Sequence, residues 1–352
     1  MLTALKLRQL RNFDAMQCQL GGGVTIFVGD NAQGKTSILE AVCVAMRLQS
    51  PRSSTLADVV QFGQTEFAVS SEYRDQQLLV GYSKSRRKLV VDGTTVRKGG
   101  DYLRHSARVV WMANDDLDLI RGGGDGRRRY LDFMGSQIFP TYRPALRTYD
   151  RALRSRNFLL KRDAQPNWTQ IDAYTKILAE QGAILTQCRA ELIERLTPFA
   201  TEVQQEVSGA AEALTLSYES AKGDRLTEAL LELREQESRR RSTAAGPHRD
   251  DFQLNLNGMP AGQFASEGQQ RTVALALKLG QARLFHQRVE EWPLLLLDDI
   301  FGELDPARRN ALMSALPPEA QKLITTTHLD WLDDRLAPDL EYRVKAGTVE
   351  RI

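Results

Sequence analysis

Cysteine is scarce in this chain. Its 352 residues contain three, Cys18, Cys43 and Cys188, far apart and with no C-x-x-C pair. That argues against a disulfide framework and against a zinc site, and the three read as reduced, packed thiols. Long apolar runs are missing too. No stretch approaches the roughly 18 consecutive apolar residues of a membrane span, and Met1 to Leu10 lacks the apolar core of a secretion signal. No internal repeat or low-complexity linker appears. A cytoplasmic protein with no membrane partner is the expectation. Excess charge of one sign is also lacking: the formal net charge is only +2, so any nucleic-acid surface must come from local clustering.

Such clusters exist. Lys84, Arg86, Arg87 and Lys88 form one, Arg127 to Arg129 another; a third runs from Arg143 to Arg162, and a fourth is Arg239 to Arg241. The chain is otherwise that of an ordinary globular protein, 42% hydrophobic and 26% charged, with length for one large or two ordinary domains.

Hydrophobic patterning predicts strands at Leu5–Leu7, Val24–Val28, Phe67–Tyr73, Leu78–Tyr82, Leu89–Val91 and Val109–Met112. Asp92-Gly93 is a hairpin-turn signal. Ile38, Leu39, Val42, Cys43 and Met46 mark one face of a helix from Thr36 to Arg47. Beyond Asp115 the texture becomes helical. Asn167 with Gln170 suggests a capping box, and Ile171, Leu178, Leu185 and Leu192 then repeat every seven residues up to Pro198, where the helix is expected to end. Another helix is expected from Thr227 to Arg241. Near Gly246-Pro247 strands resume, with Phe252 to Leu256 before the turn Asn257-Gly258. Leu294 to Leu297 is wholly apolar, as in a parallel strand covered on both faces. The expected organisation is an α/β domain split in sequence (1–115 and 246–352) with a mostly helical domain inserted at 116–245.

The strongest motif is Gly29-Asp30-Asn31-Ala32-Gln33-Gly34-Lys35-Thr36, a complete G-x-x-x-x-G-K-T between a strand and a helix. Backbone N–H groups there, with Ser37 following, would cradle phosphates. Lys35 would reach the β- and γ-phosphates and Thr36 would ligate Mg²⁺. Leu294 to Leu297 followed by Asp298 supplies the apolar strand and the acid that holds Mg²⁺; Asp299 is the candidate to orient or deprotonate the attacking water. The two motifs lie too far apart for a compact nucleotide kinase or small GTPase. Just upstream of the second, Ser266-Glu267-Gly268-Gln269-Gln270 opens a helix and presents a hydroxyl and free N–H groups suited to a γ-phosphate. Downstream come Gly302-Glu303-Leu304-Asp305-Pro306 and Thr325-Thr326-Thr327-His328.

In that order the set resembles the ABC ATPase superfamily: Walker A, signature, Walker B, D-loop and switch histidine. The fold implied is an α/β, ABC-type P-loop ATPase head. The resemblance implies that Ser266, with Gly268 and Gln269, contacts ATP held by a second copy of the chain, and that His328 contacts the γ-phosphate. No Q-loop glutamine is evident; Asn114, Asp115 and Asp116 occupy the region where it would be sought.

The opening Leu5-Lys6-Leu7-Arg8-Gln9-Leu10-Arg11-Asn12-Phe13 is similar to that of SMC-like and RecF-like ATPases. Four blocks resemble the RecF family of bacterial DNA replication and repair proteins: Asn31 to Thr36, Arg127 to Asp132, Gly246 to Asp251 and Glu267 to Thr272. That resemblance spans essentially the whole chain. It implies an ATP-dependent homodimer acting as a clamp on single-stranded, duplex or gapped DNA, working with RecO and RecR to help load RecA. Asp299 stands where ABC transporters carry glutamate, so hydrolysis is expected to be slow. Independently of any family, Arg143, Arg147, Arg151 and Arg154 fall within roughly 80° of one another on a helix at about 100° per residue. Four arginines on one arc repel one another without an anionic partner, so they are candidates for DNA backbone contact. A transporter ATPase subunit would share the nucleotide motifs but would not explain this stripe. An SMC-like chromosome-organising head is disfavoured by the absence of a long heptad array.

Overall fold

The structure is a computed structural model that describes residues 1–53, 55–84, 86–162, 165–209, 212–220 and 225–352. Two compact units emerge. The first comprises Met1–Asp116, Glu206–Ser208 and Gln281–Ile352; the second comprises Leu117–Gln205 and Gly209–Gly280.

In the first unit, alternating sequences build an antiparallel sheet from β1 (Leu2–Leu10), β2 (Phe13–Gln19), β4 (Glu66–Tyr73), β5 (Gln76–Ser83), β6 (Arg86–Val91) and β7 (Thr94–Val96), in the order β2-β1-β4-β5-β6-β7. Asp92 and Gly93, at φ 47° and 76°, link β6 to β7; positive φ at both positions suits the twist of a tight hairpin. The second sheet holds β3 (Val24–Val28), β8 (Val109–Ala113), β12 (Leu294–Asp298), β13 (Lys322–Thr326), β14 (Leu340–Lys345) and β15 (Thr348–Arg351). Its order is β15-β14-β3-β13-β12-β8, parallel except for β15. Strand β3 is apolar except for the buried Thr25, β12 is apolar up to its terminal Asp298, and β13 lies between them with every residue buried.

Helix α1 (Lys35–Arg47) touches strands of both sheets. It is therefore buried nearly all round rather than along the single face that its apolar spacing marks. The helices α2 (Gly99–Leu103) and α11 (Pro306–Ala315) also belong to this unit.

The second unit is helical, with α3 (Asp118–Arg121), α4 (Gly124–Ile138), α5 (Tyr142–Arg162), most of α6 (Trp168–Ser208), α7 (Leu226–Glu232), α8 (Arg234–Arg240), α9 (Ala261–Phe264) and the first part of α10 (Glu267–Val289). Strands β9 (Leu214–Glu219), β10 (Asp251–Leu256) and β11 (Met259–Pro260) add a small antiparallel sheet. Tyr142, Ala145, Tyr149 and Ala152 of α5 pack on Leu178, Leu185 and Cys188 of α6.

Three expectations need correction. Pro198 does not end α6, which runs on to Ser208. The buried stripe continues through it as Leu196, Ala200, Val203 and Val207, so packing overrides the lost backbone hydrogen bond. The region expected as one helix from Thr227 to Arg241 is two, α7 and α8, meeting at Leu233. The domain boundary expected at Gly246 is displaced as well, because residues 246–280 belong to the second unit. The alternating Phe252–Leu256 does form a strand, but it pairs with β9, Phe252 opposite Tyr218 and Leu254 opposite Leu216.

A half-buried histidine ties this unit together. His248 Nε2 lies 3.2 Å from the Thr243 carbonyl, which can only accept, so Nε2 carries the proton and Nδ1 accepts from the Tyr149 hydroxyl at 2.6 Å. Burial lowers its pKa to about 4, against about 6.5 for a free histidine. The folded value is the lower one, so the unfolded chain takes up the proton first. Stability present above pH 6.5 is lost as the pH falls towards 4, on the order of 2 kcal/mol by pH 5. We expect urea unfolding to show that loss between pH 7 and 5, and His248→Gln to flatten it. Equal pH dependence in the two proteins would remove His248 from the account.

Candidate functional site

The first unit's parallel sheet brings the two phosphate-site motifs together. Strand β3 delivers the glycine-rich loop and β12 delivers Asp298, with β13 between them. Asp298 pairs with Thr325 in the β12–β13 register, and Thr326 pairs with Val28 in the β13–β3 register. Such sites form at the carboxyl ends of parallel strands. Gly34 at φ 112° precedes the first residue of α1, and a Cβ there would lie 2.6 Å from the Asn12 side chain. Both conformation and space demand glycine at this position. Ala32 also adopts positive φ, 64°.

Lys35 is only 6% exposed. Its Nζ donates to the carbonyls of Gly29 (2.6 Å) and Asp30 (2.9 Å). Burial lowers its pKa, and Asp299 and Asp298 oppose that shift. Thr36 Oγ1 donates to Asp298 Oδ1 at 2.8 Å, and Thr325 Oγ1 donates to the same oxygen at 2.7 Å. Burial nevertheless raises the Asp298 pKa, as expected of a carboxylate placed where a cation would stabilise its charge.

Asp299 sits at φ 52°, a left-handed conformation that is strained for an ordinary residue. Its N–H is held by both the carbonyl (3.1 Å) and the hydroxyl (3.0 Å) of Thr325. Its Oδ1 is buried without a hydrogen-bond partner. Its pKa is raised, first by burial, with Lys35 and His328 pulling the other way. A Cβ on Gly302 would lie 3.6 Å from Asp299 Oδ1 and 3.9 Å from His328 Nε2. The two side chains thus approach one small residue. Asn114, at the end of β8, donates to the Asp299 carbonyl at 3.2 Å.

Lys35, Thr36, Asn31, Ala32, Gly34, Ser37 and Asp299 line one cleft of about 620 Å³. The remaining walls come from Arg11, Asn12, Arg52, Asp58, Val60 and Phe62, none of which the motifs mark as site residues. Arg11 explains how this wall is held. It grips the fully buried Glu40 of α1 with two 2.7 Å bonds and reaches Ser53 Oγ and the Asp58 carbonyl. No short sequence pattern announces a pair 29 residues apart.

The fit to Mg²⁺ rests on donor chemistry. A hydroxyl and a carboxylate 2.8 Å apart are the oxygen ligands this ion takes alongside phosphates and waters. Among the described residues no group of three or more His, Cys, Asp or Glu could hold a metal, so protein ligands alone would not suffice.

Ser266, Gly268 and Gln269 belong to the second unit. Ser266 is exposed and forms a reciprocal cap on α10. Its N–H donates to Gln269 Oε1 at 2.8 Å, and Gln269 N–H donates to Ser266 Oγ at 3.3 Å. The arginine stripe lies on α5 as drawn from spacing: Arg147, Arg151 and Arg154 are exposed and Arg143 is half-buried, while Tyr149 faces the core. The Arg127–Arg129 cluster behaves differently. Arg127 makes two 2.7 Å bonds to Asp251 and Arg128 donates to the Asp250 carbonyl, so these two are engaged in structure. In the first unit, a trough of about 730 Å³ on the antiparallel sheet is lined by Arg8, Lys84, Arg86, Arg87 and Lys88, with Ala68 and Gly81 among its lining residues.

Comparison with known proteins bears on the family and the fold. An AAA domain family matches residues 4–241. DNA replication and repair protein RecF of Symbiobacterium thermophilum is 39% identical, over 99% of this chain and 97% of that protein. RecF of Shouchella clausii is 36% identical over 99% and 98%. The solved recombination mediator protein RecF-ATP of the RecFOR pathway superposes with a TM-score of 0.87 at 28% identity, covering 100% of this chain and 97% of that one. An Smc head bound to the C-winged helix domain of ScpA shares the fold alone, at TM-score 0.53 and 15% identity.

Thr325 is the site residue whose role the sequence concealed. Replacing it with valine keeps the shape but removes the donor to Asp298 and one of the two acceptors of the Asp299 N–H. We expect Thr325→Val to lower unfolding free energy by about 1–3 kcal/mol. Denaturant titration measures this directly, and an unchanged midpoint would show that these hydroxyl bonds add nothing net.

Proposed function

The chain belongs to the RecF family of DNA replication and repair proteins, and from that premise we propose that it is an ATP-controlled DNA-binding protein with slow ATPase activity. Two copies close around ATP and the closed dimer grips DNA. The observation that carries this reading is the single cleft in which Lys35, Thr36 and Asp299 converge, with Asp298 bonded to Thr36.

The backbone N–H groups of residues 29–37 and the Lys35 ammonium bind the phosphates. Thr36 and Asp298 hold Mg²⁺, which neutralises charge on the phosphate oxygens when bound. Asp299, with one carboxylate oxygen buried and unpaired, accepts a hydrogen bond from the attacking water and draws off its proton. His328 Nε2, which shares the approach to Gly302 with Asp299, meets the γ-phosphate. Ser266 of a second copy completes the phosphate shell; its cap bond to Gln269 is long enough, at 3.3 Å, to exchange for a phosphate oxygen.

DNA lies along the arginines of α5, which contact phosphates rather than bases. The cationic trough on the antiparallel sheet adds a second surface of the same chemistry. The solved RecF relatives are described within the RecFOR pathway, and on this reading the chain works with RecO and RecR to help RecA load at gapped DNA.

Two measurements test the proposal. Asp299→Asn keeps the side-chain shape and removes the base, so steady-state ATP hydrolysis should fall by roughly two to four powers of ten while ATP affinity stays near the parental value. Hydrolysis at the parental rate would exclude Asp299 as the base. Arg147→Ala combined with Arg151→Ala should weaken DNA binding regardless of sequence and reduce the salt slope of log K by about two. An unchanged slope would return α5 to an ordinary solvated face.

A further inference from the structure

Phe62 is fully exposed, at 101% of its reference area, yet it is among the residues lining the cleft that holds Lys35 and Thr36. A phenylalanine so placed gains nothing from burial, and a polar residue would serve folding equally well. Its position is nevertheless tightly built. Phe62 occupies the second place of the turn Gln61–Gln64, closed by the Gln64 N–H on the Gln61 carbonyl at 3.0 Å. Gly63 follows at φ 81°, the left-handed conformation that such a turn requires of its third residue.

The turn is anchored at several points. The Gln61 N–H donates to the Gln9 carbonyl at 2.9 Å. Gln61 Nε2 donates to Asp14, and Gln9 Nε2 donates to Gln64 Oε1. An isolated bridge joins Leu10 to Val60, and Arg11, itself gripped by Glu40, donates to the Asp58 carbonyl. A rigid loop therefore presents an unpacked aromatic ring at the cleft whose other lining residues include the phosphate-binding loop.

From this arrangement we propose that Phe62 is the stacking platform for the nucleoside base. The ligand class is a nucleoside di- or triphosphate whose phosphates lie on the glycine-rich loop and whose base lies flat against the ring. Phosphates and base are recognised by separate parts of the cleft: charge and backbone N–H groups for one, a π-face for the other. Every base has a π-face, so Phe62 supplies affinity with little discrimination between adenine and guanine. The inference rests on the nucleotide-site reading above and assigns its base end.

The test separates base from phosphate with two probes, ADP and inorganic pyrophosphate, each measured by calorimetry with Mg²⁺; ADP lacks the γ-phosphate on which the closed dimer depends. For Phe62→Ala we expect ADP affinity to drop about 5- to 100-fold, the span of base–aromatic stacking, with GDP affected to a similar extent. Pyrophosphate affinity should not change. Phe62→Trp should restore ADP binding, and its fluorescence should be quenched by ADP and not by pyrophosphate. The side chain is wholly exposed, so these variants leave the fold intact. Parental ADP affinity in Phe62→Ala would overturn the proposal, as would equal losses for ADP and pyrophosphate. Lys35→Ala is the control for the underlying reading: if it leaves both ligands unaffected, the glycine-rich loop is not the phosphate site, an outcome distinct from failure at Phe62.

Discussion

One carboxylate oxygen organises the nucleotide site. Asp298 Oδ1 receives the hydroxyls of Thr36 and Thr325, and through them the glycine-rich loop, β12 and β13 are bound to a single point. The backbone of Asp299 is fastened by the same Thr325, so Asp298 and the adjacent acid share one support. A buried acceptor with two donors is worth more than either bond alone, since losing one leaves a polar group stranded in low dielectric. Any movement of β13 along its neighbours would disturb both acids at once.

The electrostatics of the cleft follow from that arrangement. Lys35 is pushed towards neutrality and Asp298 and Asp299 towards protonation, each mainly by burial. These groups are held close to one another without full compensation, and Asp299 retains a buried oxygen with nothing to accept from. Such a site stores unfavourable energy that a polyanion together with a hard cation relieves. Charge therefore sets which ligands the cleft would favour.

Local chemistry was legible in the sequence. The glycine-rich loop, the Leu294–Leu297 strand, the hairpin turns at Asp92-Gly93 and Asn257-Gly258 and the Asn167 cap all depend on residues within a few positions of one another. What escaped depended on distance. Thr325 is bonded to Asp298 across 27 residues and Arg11 to Glu40 across 29; neither pair has a local signature. Pro198 misled because its cost is local while the packing of Ala200, Val203 and Val207 that outweighs it is tertiary. Strand β10 was legible as a strand, but its partner β9 lies before two intervening helices, so the unit that owns it was not. Phe62 carried no signal at all, because a lone phenylalanine in a loop reads as core until its exposure is known.

The position of β13 between β3 and β12 also governs how the protein can be made. Strand β3 ends at Val28, and both of its neighbours in the sheet, β13 and β14, come from the last part of the chain, Val24 facing Lys322 and Thr25 facing Leu340. At about 5–20 residues per second of synthesis, a mostly apolar strand with two unpaired edges waits roughly 15 to 60 s for its neighbours. Exposed edges of that kind invite pairing with other chains. The glycine-rich loop, although encoded near the start, has no supporting sheet until translation is almost finished. A ribosome that stalls anywhere before β13 releases a chain carrying the nucleotide motif without the nucleotide site.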